Sequence, residues 1–213
     1  MTASPAGQSL LSAVGGRLGI AETTVPFLVF AAVWAANDRE VAPAAIVAVA
    51  VAAGFAAARI IRGATPQFAL SGAFGVGIAA IVASTTGRAE DFFLPGILLN
   101  AGSGTAFLLS ILIGRPLLGF VAAPMLKEEP GWHRDPAIRG LYARASWIWV
   151  AIFYFRLTVQ LPLYLTGAVG PLAVARVIAG PPLFALGLWL SYLVLRSRFD
   201  RMDGPLRNTD GDG

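Results

Sequence analysis

Val41-Ala-Pro-Ala-Ala-Ile-Val-Ala-Val-Ala-Val-Ala-Ala-Gly-Phe-Ala-Ala-Ala58 runs eighteen residues without a charged side chain. As a helix it rises about 27 Å at 1.5 Å per residue, close to the ~30 Å hydrocarbon thickness of a bilayer. Taken alone it reads equally well as a buried helix of a soluble protein. Its neighbours decide the matter, because five further apolar stretches lie at 18–36, 66–84, 94–113, 143–165 and 172–195. Lipid offers no partner to exposed backbone N–H and C=O groups, so spanning segments must be helices or a closed barrel. No period-2 alternation supports a barrel. The expected fold is therefore an all-α integral membrane protein with six transmembrane helices.

Composition agrees. Of 213 residues, 56% are hydrophobic and 13% charged, against about 25% charged in ordinary soluble domains; mean hydropathy is +0.70. Sixteen Lys and Arg and twelve Asp and Glu are too few to coat a water-soluble globule of this size. A soluble enzyme, a disordered chain and a nucleic-acid binder are excluded on that ground. The chain has no Cys and one His, His133. Disulfides, thiolate metal sites, iron–sulfur clusters and multi-His metal sites are thereby removed, and no cofactor or metal is expected.

The loops set the orientation. Arg17, Arg59, Arg62, the 114–144 region and the tail beyond 195 place twelve basic residues on one side, and Arg39, Arg88 and Arg176 place three on the other. The positive-inside rule puts both termini and the longer loop between helices 4 and 5 in the cytoplasm. A polar arm at 1–17 precedes a span containing Glu22, which predicts a retained first helix rather than a cleaved signal. Positions 18–196 form one membrane domain, and the Gly/Asp-rich segment 197–213 is expected to be disordered. In the 114–142 loop, Leu117 to Leu126 is apolar but too short to span, which suits an interfacial or re-entrant segment. Asp135-Pro136 reads as an N-cap with proline at the first helical position, opening an extension of the fifth span.

Small residues recur at spacings of four, as at Ala44, Ala48, Ala52 and Ala56 and at Gly96, Asn100 and Gly104. Such stripes let helices approach closely in lipid. No nucleophile elbow, phosphate loop or paired-carboxylate arrangement is present, so no catalytic residue is assigned and the protein is expected to be non-enzymatic. Polar residues at membrane depth are costly and are the natural candidates for function. Arg156 lies nine residues from the outer end of the fifth span, with Gln160 one turn further on the same face. Asn100 and Arg176 fall at comparable depth on two other spans. We expect an outward-facing polar cluster of Arg156, Gln160, Asn100 and Arg176, with Glu90 or Asp91 as counter-ion. It would receive an anionic ligand or lipid headgroup, since guanidinium groups fork onto carboxylate and phosphate; the alternative is internal ion pairing that fixes helix register. Glu22 is expected to pair with Arg144 or Arg59.

Gly87-Arg-Ala-Glu-Asp-Phe-Phe-Leu-Pro-Gly-Ile-Leu-Leu-Asn100, Arg134-Asp-Pro-Ala-Ile-Arg139 and Arg156-Leu-Thr-Val-Gln-Leu-Pro-Leu-Tyr164 resemble an uncharacterised actinobacterial family of multipass membrane proteins, domain of unknown function 3159. The resemblance extends over about residues 18–196. It implies a kind of protein and carries no activity or site residue. Fifteen Arg to one Lys suits a GC-rich bacterial source. Gly114-Arg-Pro-Leu-Leu118 followed by Tyr142-Ala-Arg-Ala-Ser-Trp-Ile-Trp149 is also similar in order to the intracellular septation protein A family, over the C-terminal half only. The chain departs from that family in its charged Arg156 and its long loop. That likeness implies a role in maintaining the cell envelope.

These observations lead to a multi-pass protein of the bacterial cytoplasmic (inner) membrane with an envelope-associated or scaffolding role. The alternative is a small transporter or channel using the outward-facing cluster. A lipid-modifying enzyme with Glu90 or Asp91 as base is a third reading, for which no nucleophile or metal set can be assembled. The expected partners are the lipid bilayer, an anionic lipid or small anion, and a second copy or another membrane protein, with no nucleic acid.

Overall fold

Ala44, Ala48, Ala52 and Ala56 all face the protein interior, and the helix that carries them is the centre of a helical layer. The computed structural model describes residues 16–63, 66–126, 128 and 131–202, and every regular element among them is helical. In chain order they are α1 (Gly16–Ala36), α2 (Val41–Ile61), α3 (Pro66–Thr86), a 3-10 turn (Ala89–Phe92), α4 (Leu94–Leu112), α5 (Leu117–Met125), a second 3-10 turn (Trp132–Arg134), α6 (Pro136–Leu165), α7 (Val169–Ile178) and α8 (Pro181–Met202). The expected arm lies, up to residue 15, outside the described residues. In the segment expected to be disordered from 197, α8 continues through Met202, and 203–213 lie outside the described residues as well.

Four segments are long and apolar enough to cross a membrane: Val41–Ile61, Leu94–Leu112, Pro136–Leu165 and Val169–Arg196. The apolar runs Ala21–Ala36 in α1 and Leu70–Thr86 in α3 are shorter. The last long segment departs from the expected single span at 172–195, because it breaks between Ile178 and Pro181 into α7 and α8. The cause is local. Pro181 and Pro182 lack backbone N–H groups, and proline disfavours helical geometry in the residue before it.

The chain forms two compact units, each built from two stretches of sequence. In the first (Met1–Asn100 and Phe155–Ala185), α1, α2 and α3 pack in succession, α7 lies against α1, and the first 3-10 turn sits against α3 and α7. Its core joins the alanine face of α2 to Phe27 and Phe30 of α1, Phe92 and Phe93 of the turn, and Leu172 of α7. The second unit comprises Ala101–Tyr154 and Leu186–Gly213. There Tyr142, Ala145, Ala123, Leu126 and Leu195 form the core, and Trp132 packs edge-on to Tyr142 at 4.9 Å between ring centres. The Trp132 indole lies so close over Gly119 that any Cβ there would collide with it. Short α5 is tied down by side-chain hydroxyls: Leu117 N–H donates to Ser110 Oγ at 3.0 Å and Leu118 N–H to Ser146 Oγ at 3.3 Å.

The start of α6 follows the sequence reading. Asp135 Oδ1 accepts the N–H of Ala137 at 2.8 Å and of Ile138 at 3.4 Å, satisfying donors that a helix N-terminus leaves orphaned. Asp135→Ala should therefore cost about 1 kcal/mol of stability, read as a lower midpoint of thermal unfolding in neutral detergent. Asp135→Asn should recover most of that loss.

Candidate functional site

The break between α7 and α8 exposes main-chain oxygen, and one side chain of α6 answers it. Arg156 donates Nε–H to the Ala179 carbonyl and an Nη2 hydrogen to the Gly180 carbonyl, each at 2.5 Å. The Gly180 carbonyl also accepts the Phe184 N–H at 3.1 Å, whereas the Ala179 carbonyl at the C-terminal end of α7 has no other donor among the described residues. In an apolar surround a carbonyl without a donor is costly, and a helix C-terminus carries partial negative charge that favours a cation. Arg156 supplies both the donors and the cation.

A second guanidinium comes from the last turn of α7. Arg176 places its Cζ 3.7 Å from the centroid of the Phe27 ring, within the range of a cation–π contact. Its guanidinium crosses α4 at Gly96, where a Cβ would run into it. A side chain at that position would therefore force the Arg176 guanidinium to shift. Among the described residues, Arg176 has no carboxylate partner and no hydrogen-bond acceptor.

Arg156, Arg176, Gln160 and Asn100 line one cavity of about 380 Å³. Gln160 is 4% exposed, sits one turn beyond Arg156 on α6, and its amide has no partner among the described residues. Asn100 follows Gly96 by one turn on α4. Leu99 of α4 and Phe184 of α8 provide the apolar wall. No acidic side chain lines this cavity among the described residues. An adjoining cavity of about 350 Å³ shares Thr23, Gly96, Leu99 and Arg176 with it and is also lined by Glu22.

The four cationic and amide residues expected to cluster are thus together, while the expected acids are elsewhere. Glu90 accepts Arg88 Nε–H at 2.8 Å within its own loop, and this hydrogen bond, with Glu90's charge, raises the Arg88 pKa above its ordinary value. Asp91 is buried and accepts the Tyr164 hydroxyl at 2.6 Å. The two acids expected as counter-ions of the interior arginines thus make these contacts with Arg88 and Tyr164 instead. The 3-10 turn directs Asp91 toward the end of α6 and leaves Glu90 beside a nearer cation, Arg88. Glu22 pairs with Arg59, at 2.8 Å. Phe27, Gly96 and the Ala179 and Gly180 carbonyls were not among the expected site residues. The Gly180-Pro181-Pro182 run inside an apolar stretch was the available signal for the carbonyls.

Among the described residues every regular element is helical and four segments reach membrane-spanning length, which defines a membrane protein, and its interior holds a cavity lined by two arginines and two amides. Residues 14–202 match the family described as protein of unknown function, DUF3159, and the chain belongs to that family. No curated protein and no solved structure matches it.

Proposed function

We propose that this protein binds an anionic ligand within its membrane domain, the transporter-type reading rather than the scaffold. One observation carries the proposal: Arg156, Arg176, Gln160 and Asn100 converge on one cavity that no acidic side chain lines among the described residues. Two cations without a facing carboxylate are expensive at membrane depth, and a site that keeps them has a use for an anion. The amides add neutral donors that can complete an oxyanion's shell. The role is non-enzymatic, since the sequence brings no catalytic set to the cavity. The setting is a six-span protein of the bacterial cytoplasmic membrane with both termini inside, supported by the distribution of arginine among the loops. In that orientation the cavity opens toward the outer leaflet, about 13 Å below the outer end of α6 at the helical rise.

Thermal unfolding in neutral detergent tests the anion site, with sodium phosphate replacing sodium chloride at constant ionic strength. At phosphate ten times its dissociation constant the stabilisation is about 1.4 kcal/mol, or roughly 3–6 °C for a chain of this size. Arg176→Gln should abolish the saturable rise. An equal rise in wild type and Arg176→Gln would refute the site.

A further inference from the structure

Arg156 and Arg176 line the same cavity but are held in different ways. Arg156 has two of its N–H groups engaged by the Ala179 and Gly180 carbonyls. Those bonds fix its plane against the α7–α8 break, and helix-end oxygens already offset part of its charge. Arg176 has no oxygen partner among the described residues and is held on one face only, by the Phe27 ring. All five of its N–H donors remain for a ligand, in the fork geometry that matches two oxygens of one oxyanion. Gly96 provides the slot in which it lies.

The apolar part of the cavity lining points to the rest of the ligand. Leu99 is 72% exposed and Phe184 39%, and Leu98 beside them is 61% exposed. They belong to segments of membrane-spanning length, so such exposure faces acyl chains. The cavity volume of about 380 Å³ corresponds to roughly a dozen waters at ~30 Å³ each. That holds an oxyanion and a few attached carbons, and leaves a long chain outside along the apolar rim.

Resting on the anion-site reading, we infer that the ligand is an amphiphilic oxyanion, a phosphate or carboxylate head on an apolar chain. Arg176 is the guanidinium that holds it, and Arg156 is a positioning residue that keeps the α7–α8 break in place. The head enters sideways from the bilayer, between Leu99 and Phe184, and the chain stays in lipid. Gln160 and Asn100 complete the head's hydrogen bonding. A lipid headgroup and a free anion share this head chemistry, and the apolar rim selects the lipid-borne form.

The test uses full-length protein in phosphatidylcholine vesicles, with spin-labelled phosphatidylglycerol compared against spin-labelled phosphatidylcholine as the motionally restricted lipid. We expect at least a tenfold preference for phosphatidylglycerol in wild type. Arg176→Gln and Gly96→Ala should both reduce it to near that of phosphatidylcholine, the second by displacing Arg176 without changing any charge. Arg156→Lys should keep most of the preference while lowering thermal stability. Arg62→Gln, which removes the same charge from the exposed end of α2, should leave it unchanged and so exclude a general surface attraction. Inorganic phosphate should compete only at tens of millimolar. Absence of a phosphatidylglycerol preference, with the Arg176-dependent phosphate stabilisation intact, would overturn the amphiphile and leave the anion site standing. A preference that survives Arg176→Gln but not Arg156→Lys would reverse the assigned roles, and loss of both signals would remove the site altogether.

Discussion

Arg156→Ala should lower the stability of the folded protein by about 3–5 kcal/mol, the larger part from two charge-assisted hydrogen bonds worth roughly 1.5–3 kcal/mol each. Both end on main-chain oxygens at the α7–α8 break; in the alanine variant the Gly180 carbonyl keeps the Phe184 N–H, whereas the Ala179 carbonyl has no other donor among the described residues. Removing a partly buried cation returns some desolvation energy, which keeps the total below the sum of the two bonds. At roughly 2–4 °C per kcal/mol for a chain of this size, the unfolding midpoint falls by about 10 °C. Bicelles are the right medium, because detergent admits water to the carbonyls and masks the loss. Arg156→Lys keeps the charge but offers one compact ammonium in place of a planar fork, and should recover about half. A change below ~1 kcal/mol for Arg156→Ala would mean that water or another group serves those carbonyls, and the structural role assigned to Arg156 would fail.

Phe92→Ala should cost about 3–5 kcal/mol, the range for emptying a fully buried aromatic site. Phe92 and Phe30 are both 0% exposed, with ring centres 3.9 Å apart and planes within 2° of each other. Phe27 and Phe93 close the cluster at 5.3 and 5.8 Å from Phe92. Helices in lipid gain little from the hydrophobic effect and are held by packing, so a void here removes what joins the 3-10 turn to α1. The consequence reaches the cavity, because Phe27 is also the ring under Arg176. The variant should therefore lose phosphate stabilisation along with intrinsic stability. Phe92→Leu should cost markedly less, and so should Phe120→Ala, at a 53% exposed position of the second unit where one edge-on contact to Trp132 is lost, a pair worth about 0.5–1.5 kcal/mol. Equal effects of Phe92→Ala and Phe120→Ala would show that the aromatic cluster does not anchor the turn.

Much of the helical layer was legible in the sequence. The alanine stripe of α2 predicted a buried face, and that face is buried; Asp135-Pro136 predicted a helix start, and α6 begins there. The Glu22 alternatives narrowed to Arg59 only once helices were packed. The cationic cluster was legible in membership, because cost alone singles out charges and amides at membrane depth. Its counter-ions were not. Glu90 and Asp91 stand two and three residues from Arg88, yet Glu90 pairs with Arg88 while Asp91 takes the Tyr164 hydroxyl, 73 residues away. That choice follows from the backbone of a four-residue 3-10 turn, which hydropathy does not encode.

From its residues alone, this chain determined that it is helical, suited to lipid and belongs to one family, because each apolar stretch must satisfy its own backbone wherever its neighbours lie. Packing decided the rest. Gly96 and Arg176 are eighty residues apart, and only the approach of α7 to α4 turns a glycine of unremarkable sequence into the slot for a guanidinium. Arg156 looked from its position like a ligand group, and the broken helix beside it supplied the carbonyls that hold it. Hydropathy is a property of single residues and survives any arrangement of them, whereas a partner for a buried charge exists only at the few ångströms that tertiary contact provides.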